Sequence, residues 1–259
     1  MATIHKTSQP EVSLMLTADR SQDPSAIRAQ ELRREVSGSV EFGQKKLPWI
    51  SCLAFLCLCA LFLPNCIAEP GKAYVLFDGK SLIGWKSNEE TPDVFSITAE
   101  GELKVDGGRA HLFWMGTDAI PAEFKDFELQ MQVKTSPQGN SGIFFHTVYQ
   151  ESGWPDNGYE AQINSTHKDI RKTGSVYAIQ DVEHDAPSTD GEWFDYSIRV
   201  QGKTITILVN GTVVNKYTEP ENPERKRPGV RLSQGTFAIQ GHDPDSITYY
   251  KNIRLSLLD

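Results

Sequence analysis

The sequence predicts an all-β sandwich from about residue 74 to the C-terminus. Residues 127–133 alternate apolar and polar side chains without a break, as a strand with one buried face does. Asn210-Gly211 separates two apolar runs, which favours a two-residue type I′ hairpin. Similar short runs recur between turn residues, and no helical period extends beyond a turn or two. These strands must form two packed sheets or a barrel to bury their apolar faces, and we expect a sandwich.

The predicted strands follow one another at short spacing. In chain order they are residues 75–77, 95–98, 102–105, 109–114, 127–133, 141–148, 159–163, 175–178, 196–200, 204–209, 212–214, 236–240 and 247–257. Two long loops, 150–157 and 181–192, are rich in Gly, Pro and Asp, and such loops often form the walls of binding sites. The loop 219–231 contains three consecutive cations at 225–227, but nearby glutamates favour a solvated turn over an anion site.

The region before residue 69 has the pattern of an export signal. Lys45-Lys46 precede an apolar run at 47–63, and Cys66-Ile67-Ala68 places small residues before a cleavage point. We expect cleavage after Ala68, with an uncleaved membrane anchor as the alternative because the run is near the lower length limit for a bilayer span. The sequence therefore predicts three segments: a disordered tail or over-extended translation start (1–46), a signal peptide or anchor (47–68) and a folded domain (69–259). We expect the folded domain to be periplasmic or secreted, or to be attached to the membrane by the anchor.

Charge and cysteine content exclude several classes of protein. The net charge of -8 gives no electrostatic reason to expect nucleic acid as a partner. All four cysteines, at 52, 57, 59 and 66, lie in the apolar run or just after it, so the region from residue 69 can form no internal disulfide. The acids and histidine at 181–185 could suit a cation, but adjacent acids on a loop are more often solvated. We therefore predict no metal site and no cofactor.

Polar residues are grouped on the faces of several predicted strands. Glu160 and Gln162 are two residues apart in an extended segment, so both side chains point to one face. Residues 140–146 and 238–243 repeat this pattern, which indicates a site on a sheet. The candidate catalytic residues are Glu160 and His242. The candidate substrate-binding residues are Asn140, His146, Trp154, Gln162, Tyr177 and Gln240. His146 could instead be a structural histidine, and both aromatic residues could pack in the core.

Five co-linear motifs carry a family resemblance: LFDGKSLIGW at 76–85, NSGIFF at 140–145, GYEAQI at 158–163, GEW at 191–193 and KNIRL at 251–255. Together they resemble the 3-keto-disaccharide hydrolase domain family. The resemblance implies a concanavalin A-like jelly-roll sandwich, export from a bacterium, a 3-keto-glycoside substrate and a separate sugar 3-dehydrogenase that makes it. His146 stands where arginine is expected, Phe194-Asp195 where Asn-Thr is usual, and Gly241 replaces an acid. These departures bear on substrate preference rather than on the fold.

A 3-keto substrate changes what catalysis requires. The ketone acidifies the proton on carbon 2, so the glycosidic oxygen at carbon 1 can leave by elimination and water can then add to the enone. One base, one acid and hydrogen-bond donors to the enolate suffice. We expect Glu160 to be the base and His242 the proton donor or enolate partner, while Gln162, Asn140 and Gln240 orient hydroxyl groups.

Two other functions remain open at this point. A conventional retaining glycosidase needs two carboxyl groups about 5–5.5 Å apart. The next positions on the face of Glu160 are Gln162 and Asn164, so the second acid would have to come from Asp181, Asp185 or Asp243. A non-catalytic carbohydrate-binding module could use the same sheet and aromatic residues.

Overall fold

The computed structural model describes residues 71–88 and 90–259, and the regular elements of these residues are all β-strands. They are β1 Ala73–Val75, β2 Trp85–Ser87, β3 Phe95–Ile97, β4 Leu103–Asp106, β5 Ala110–Trp114, β6 Phe127–Thr135, β7 Asn140–Thr147, β8 Tyr159–Asn164, β9 Phe194–Gln201, β10 Thr204–Val209, β11 Thr212–Thr218, β12 Thr236–Gly241 and β13 Ile247–Leu257. The predicted tail and the predicted signal or anchor lie outside the described residues.

The strands form two antiparallel sheets, as a jelly-roll sandwich requires. The large sheet has the order β11-β10-β9-β6-β13-β4-β3, and β1 pairs with the C-terminal part of β13. The small sheet has the order β2-β5-β12-β7-β8. Within the described residues, no helix is long and apolar enough to cross a membrane. The prediction of an all-β sandwich is confirmed.

The large sheet has the alternation that the sequence predicts. On β6, Phe127, Leu129, Met131 and Val133 are buried in the main hydrophobic core, while the polar residues that alternate with them are more accessible. Asn210 and Gly211 have φ angles of 49° and 75°, both in the left-handed region that a type I′ turn requires. Val209 pairs with Thr212 directly across this turn, so the predicted hairpin is confirmed.

The small sheet is buried on both faces, which is unusual for an antiparallel sheet. Every residue of β5, β7 and β12 is buried. One face contributes residues such as Ile143 and Ile239 to the main core, whereas Phe113, Phe144 and Ala238 form a separate apolar cluster. Polar side chains, among them those of His111, Gln162 and Gln240, are buried as well. This second face of the small sheet carries the candidate site.

Two strand predictions differ from the structure. The predicted strand at 175–178 is a tight turn, in which Val176 makes isolated bridges to Ala161 and Gln180 and Ala178 has a φ angle of 57°. The β-propensity of Val176 and Tyr177 therefore does not decide their conformation. Conversely, β2 is not among the predicted strands, because its three residues are at most partly buried and show no apolar alternation.

Candidate active site

A cavity of about 250 Å³ lies on the second face of the small sheet. Its walls are Phe144, Trp154, Glu160, Gln162, Tyr177, Arg227, Gln240 and His242. Six of the eight predicted site residues are therefore brought together. The volume is below the roughly 300–1,000 Å³ of pockets for drug-sized ligands and suits one sugar ring.

The register of the small sheet brings these residues together from distant parts of the sequence. On β7 and β8, Phe144 lies opposite Glu160 and Gly142 lies opposite Gln162. On β5 and β12, Gln240 lies opposite His111. Side chains at directly paired positions are close enough to interact across strands. The cavity floor is thus built on the sheet itself, and the aromatic side chain of Trp154 is supplied by the loop between β7 and β8.

Glu160 carries the strongest electrostatic signal of the cavity. Burial raises the pKa of its carboxyl group to about 8, although a hydrogen bond from Gln240 and the charge of Arg227 act in the opposite direction. The Gln240 Nε2 group donates to Glu160 Oε1 at 2.7 Å. Part of the Glu160 side chain remains accessible, but desolvation dominates at the carboxyl group. The carboxyl group is therefore mostly protonated at neutral pH.

Two buried amide oxygens on the cavity floor have no hydrogen-bond partner. They are Gln162 Oε1 and Gln240 Oε1. The other end of the Gln162 amide donates to Asn140 Oδ1 at 3.0 Å, which fixes its orientation. A buried polar atom without a partner costs about 1–3 kcal/mol, so these acceptors match the hydroxyl donors of a polar ligand.

His242 is oriented by the adjacent carboxylate. Its Nδ1 lies 2.6 Å from Asp243 Oδ2, and the Ser246 hydroxyl donates to the same oxygen at 2.9 Å. Burial by itself would raise the pKa of Asp243, but the hydrogen bonds from His242 and Ser246 outweigh it and keep the pKa below its usual value. With the Nδ1 proton held by a carboxylate, neutral His242 has its lone pair on Nε2. That nitrogen can accept a proton.

His167, His242 and Asp243 form a cluster whose candidate ligand atoms for a cation lie within 4.8 Å of one another. The backbone N–H of Asp169 points at His167 Nδ1 at 3.2 Å, so this nitrogen acts as an acceptor. The proton of neutral His167 then resides on Nε2, the atom that faces Asp243 at 3.7 Å. In this tautomer the nitrogen that faces Asp243 has no free lone pair for a metal. Hydrogen bonding accounts for this cluster, and we assign no metal to it.

Two predicted binding residues lie outside the cavity walls. Asn140 is buried behind Gln162 and bridges it to His167, with its Nδ2 3.0 Å from His167 Nδ1. It orients other residues rather than contacting a ligand in the cavity.

His146 occupies a structural position, the alternative that the sequence left open. Its Nε2 lies 2.9 Å from the Lys125 carbonyl oxygen, and its Nδ1 accepts from the Ser233 N–H at 3.1 Å. The residue has a φ angle of 56° at a register shift between β7 and β12, and this bulge turns the ring away from the face of Phe144. The predicted contact between His146 and substrate does not fit this placement.

Three residues at or next to the cavity are not among the predicted site residues. Phe144 could have been found by alternation, because it is four residues from the predicted site residue Asn140 on the same strand, and such residues share a face. Arg227 lines the cavity and donates to the Pro155 carbonyl oxygen at 3.2 Å. Its loop is therefore more than the solvated turn that the sequence predicts. Its position depends on the path of two loops, so no local signal reveals it.

The third residue is His111, which is fully buried with neither ring nitrogen hydrogen-bonded. Its ring lies 5.5 Å from that of Trp154. Burial lowers its pKa to about 4, so it is neutral at physiological pH. A single histidine on an apolar strand gives no indication of this position in the sequence.

Comparisons with known proteins agree with this architecture. The model of the 3-keto-alpha-glucoside-1,2-lyase-like domain family matches residues 72–256. A 3-keto-disaccharide hydrolase from Bacteroides thetaiotaomicron is 26% identical over 228 residues, which cover 71% of this chain and 78% of the relative.

Solved structures of candidate glycosyl hydrolases from Parabacteroides distasonis share the fold. One has a TM-score of 0.61 at 22% identity and covers 72% of this chain and 94% of its own. Another has a TM-score of 0.56 at 23% identity, with coverage of 72% and 100%. At this identity the likeness concerns the fold alone.

Proposed function

We propose that this chain, which belongs to the 3-keto-alpha-glucoside-1,2-lyase-like domain family, cleaves the glycosidic bond of 3-keto-glycosides by elimination. Family membership and the name of the curated relative support a glycosidase-like enzyme. The observation that carries the proposal is the cavity with a protonated Glu160 and a carboxylate-bound His242 on its walls. This pair supplies one acid and one base, which is what elimination from a 3-keto sugar requires.

The proposed acid and base are the reverse of those expected from the sequence. His242 Nε2 takes the proton from carbon 2, and the electrons of that bond enter the enolate of the 3-ketone. The enolate collapses to a double bond between carbons 1 and 2, the bond from carbon 1 to the glycosidic oxygen breaks, and Glu160 gives its proton to that oxygen. Arg227 brings positive charge to the cavity, where it can oppose the negative charge of the enolate. Addition of water to the enone completes net hydrolysis.

A double-displacement mechanism is less compatible with the cavity. Among the described residues that line it, Glu160 carries the single carboxyl group. Asp243 contacts His242, and Asp181 accepts from Arg171 Nε at 3.1 Å, so both are engaged elsewhere. A retaining glycosidase would need a second carboxylate about 5–5.5 Å from the first. The 3-keto substrate must be supplied by a sugar 3-dehydrogenase, which we propose as the functional partner.

The test is a comparison of matched disaccharides that differ only in oxidation at carbon 3. We expect release of free sugar from the 3-keto compound alone, with a primary isotope effect when carbon 2 carries deuterium. Equal cleavage of both compounds would favour a conventional glycosidase. Binding of both without cleavage would favour a carbohydrate-binding module.

A further inference from the structure

A second cavity adjoins the candidate active site and shares two of its walls. It has a volume of about 460 Å³, and Tyr177 and Arg227 line both cavities. A substrate whose oxidised ring occupies the first cavity must place its leaving group in a neighbouring space. The shared walls identify the second cavity as that space.

Three consecutive cations, Arg225, Lys226 and Arg227, line the second cavity. The guanidinium of Arg225 donates through Nη2 to the hydroxyl groups of Tyr159 and Tyr217, and its Nε–H is buried without an acceptor. Lys226 is exposed and makes no ion pair within the described residues. Glu224 is the one carboxylate among the described wall residues. Asp156 pairs with Arg227 at 3.4 Å, so the three cations face two carboxylates and the cavity keeps one positive charge in excess, in a chain whose net charge is -8.

The remaining walls are aromatic and apolar. Tyr177 and Tyr217 contribute rings, while Ile179 and Val230 contribute partly buried aliphatic side chains. Such walls favour contact with a ring, and the cations favour a negative charge on that ring. A neutral sugar can accept hydrogen bonds through its hydroxyl oxygens, but it leaves the excess positive charge without a counter-charge.

We propose that the second cavity binds the aglycone and selects a ring that carries a carboxylate. The inference rests on the proposed function, because the second cavity receives the aglycone only if the oxidised sugar ring occupies the first cavity. Two chemical sources supply a ring with a carboxylate: a phenolic acid and a uronic acid. Both place the negative charge on the leaving group rather than on the oxidised ring.

The test uses four 3-keto-glucosides, with methanol, phenol, 4-hydroxybenzoate or glucuronate as the aglycone. We expect the two carboxylates to exceed their neutral counterparts in kcat/KM by about tenfold at low ionic strength, since one extra charge near a surface cation has about this effect. The advantage should shrink as salt is added. A larger advantage for 4-hydroxybenzoate identifies a phenolic acid as the preferred aglycone, and a larger advantage for glucuronate identifies a uronic acid.

Lys226→Glu should abolish the advantage of the carboxylates over their neutral counterparts. Lys80→Glu is the matched control, because Lys80 is exposed and lines neither cavity. Equal kcat/KM for carboxylate and neutral aglycones, with the methyl glycoside turned over, would overturn this inference alone. If no 3-keto-glycoside is turned over, the proposed function fails. Calorimetric binding of the same compounds then decides the charge preference independently, and equal affinities would also overturn it.

Discussion

The Glu160 side chain lies against Gly142 of the neighbouring strand, diagonal to its own paired position opposite Phe144. A methyl group at position 142 would overlap the Glu160 carboxyl group and would lie 2.9 Å from its Cγ. Gly142 does not have a positive φ angle, so its backbone conformation is open to other residues. The missing side chain at this position therefore provides the space in which the carboxyl group reaches Gln240.

Gly142→Ala should displace Glu160 without unfolding the sheet. We expect kcat/KM for a 3-keto-glycoside to fall about 10²-fold, because misplacing a catalytic group by about 1 Å has this effect. Steady-state kinetics and thermal unfolding together measure it. In the Glu160→Gln background, Gly142→Ala should lower kcat/KM little further, since both substitutions act through one carboxyl group. Additive losses would show that Gly142 serves another purpose.

Glu160→Gln should remove activity and raise stability at high pH. Loss of a general acid or base costs about 10²–10⁴-fold in rate. The folded-state pKa of about 8 lies above the ordinary value of 4.5, so the stability that the protonated carboxyl group contributes is complete below pH 4.5 and is lost as the pH rises to about 8. A glutamine at position 160 does not ionise, so the variant does not lose this stability as the pH rises. The melting temperature of the variant should therefore rise relative to that of the native protein between pH 5 and 8, by about 2–4 °C for each kcal/mol.

The sequence predicts the composition of the site better than its chemistry. Strand alternation places Glu160 and Gln162 on one face, and the structure brings both into the cavity with Gln240 and His242. The same reasoning fails at His146, because one left-handed residue at a bulge reverses the expected face and leaves no mark in the alternating pattern. The burial that determines the pKa of Glu160 comes from the packing of distant segments, so no local pattern could predict it.

The pH dependence of kcat/KM distinguishes the two possible roles of Glu160. As an acid, the group is active when protonated, so the rate should be maintained up to about pH 8 and fall tenfold per unit above it. As a base, it would be active when ionised, and the rate would rise up to the same pH. Measurement between pH 6 and 10 with a non-titrating aglycone decides between them. A rate that rises through pH 8 would restore the assignment made from the sequence.

Asp243→Asn should impair proton abstraction, because the carboxylate holds the Nδ1 proton of His242 and so keeps the Nε2 lone pair available. An amide at position 243 can donate to Nδ1 instead, which favours the tautomer that has its proton on Nε2. We expect kcat to fall about 10²–10⁴-fold with little change in KM, as for loss of a general base.

Asp245→Asn is the matched control for this substitution, since the Asp245 side chain is exposed and only its backbone N–H contacts Asp243, at 3.0 Å. Deuterium exchange at carbon 2 of the substrate provides a second measurement, because it reports proton abstraction without bond cleavage. Asp243→Asn should slow this exchange, whereas Glu160→Gln should slow cleavage and leave exchange largely intact. If Glu160→Gln abolishes exchange and Asp243→Asn does not, Glu160 is the base and His242 acts elsewhere.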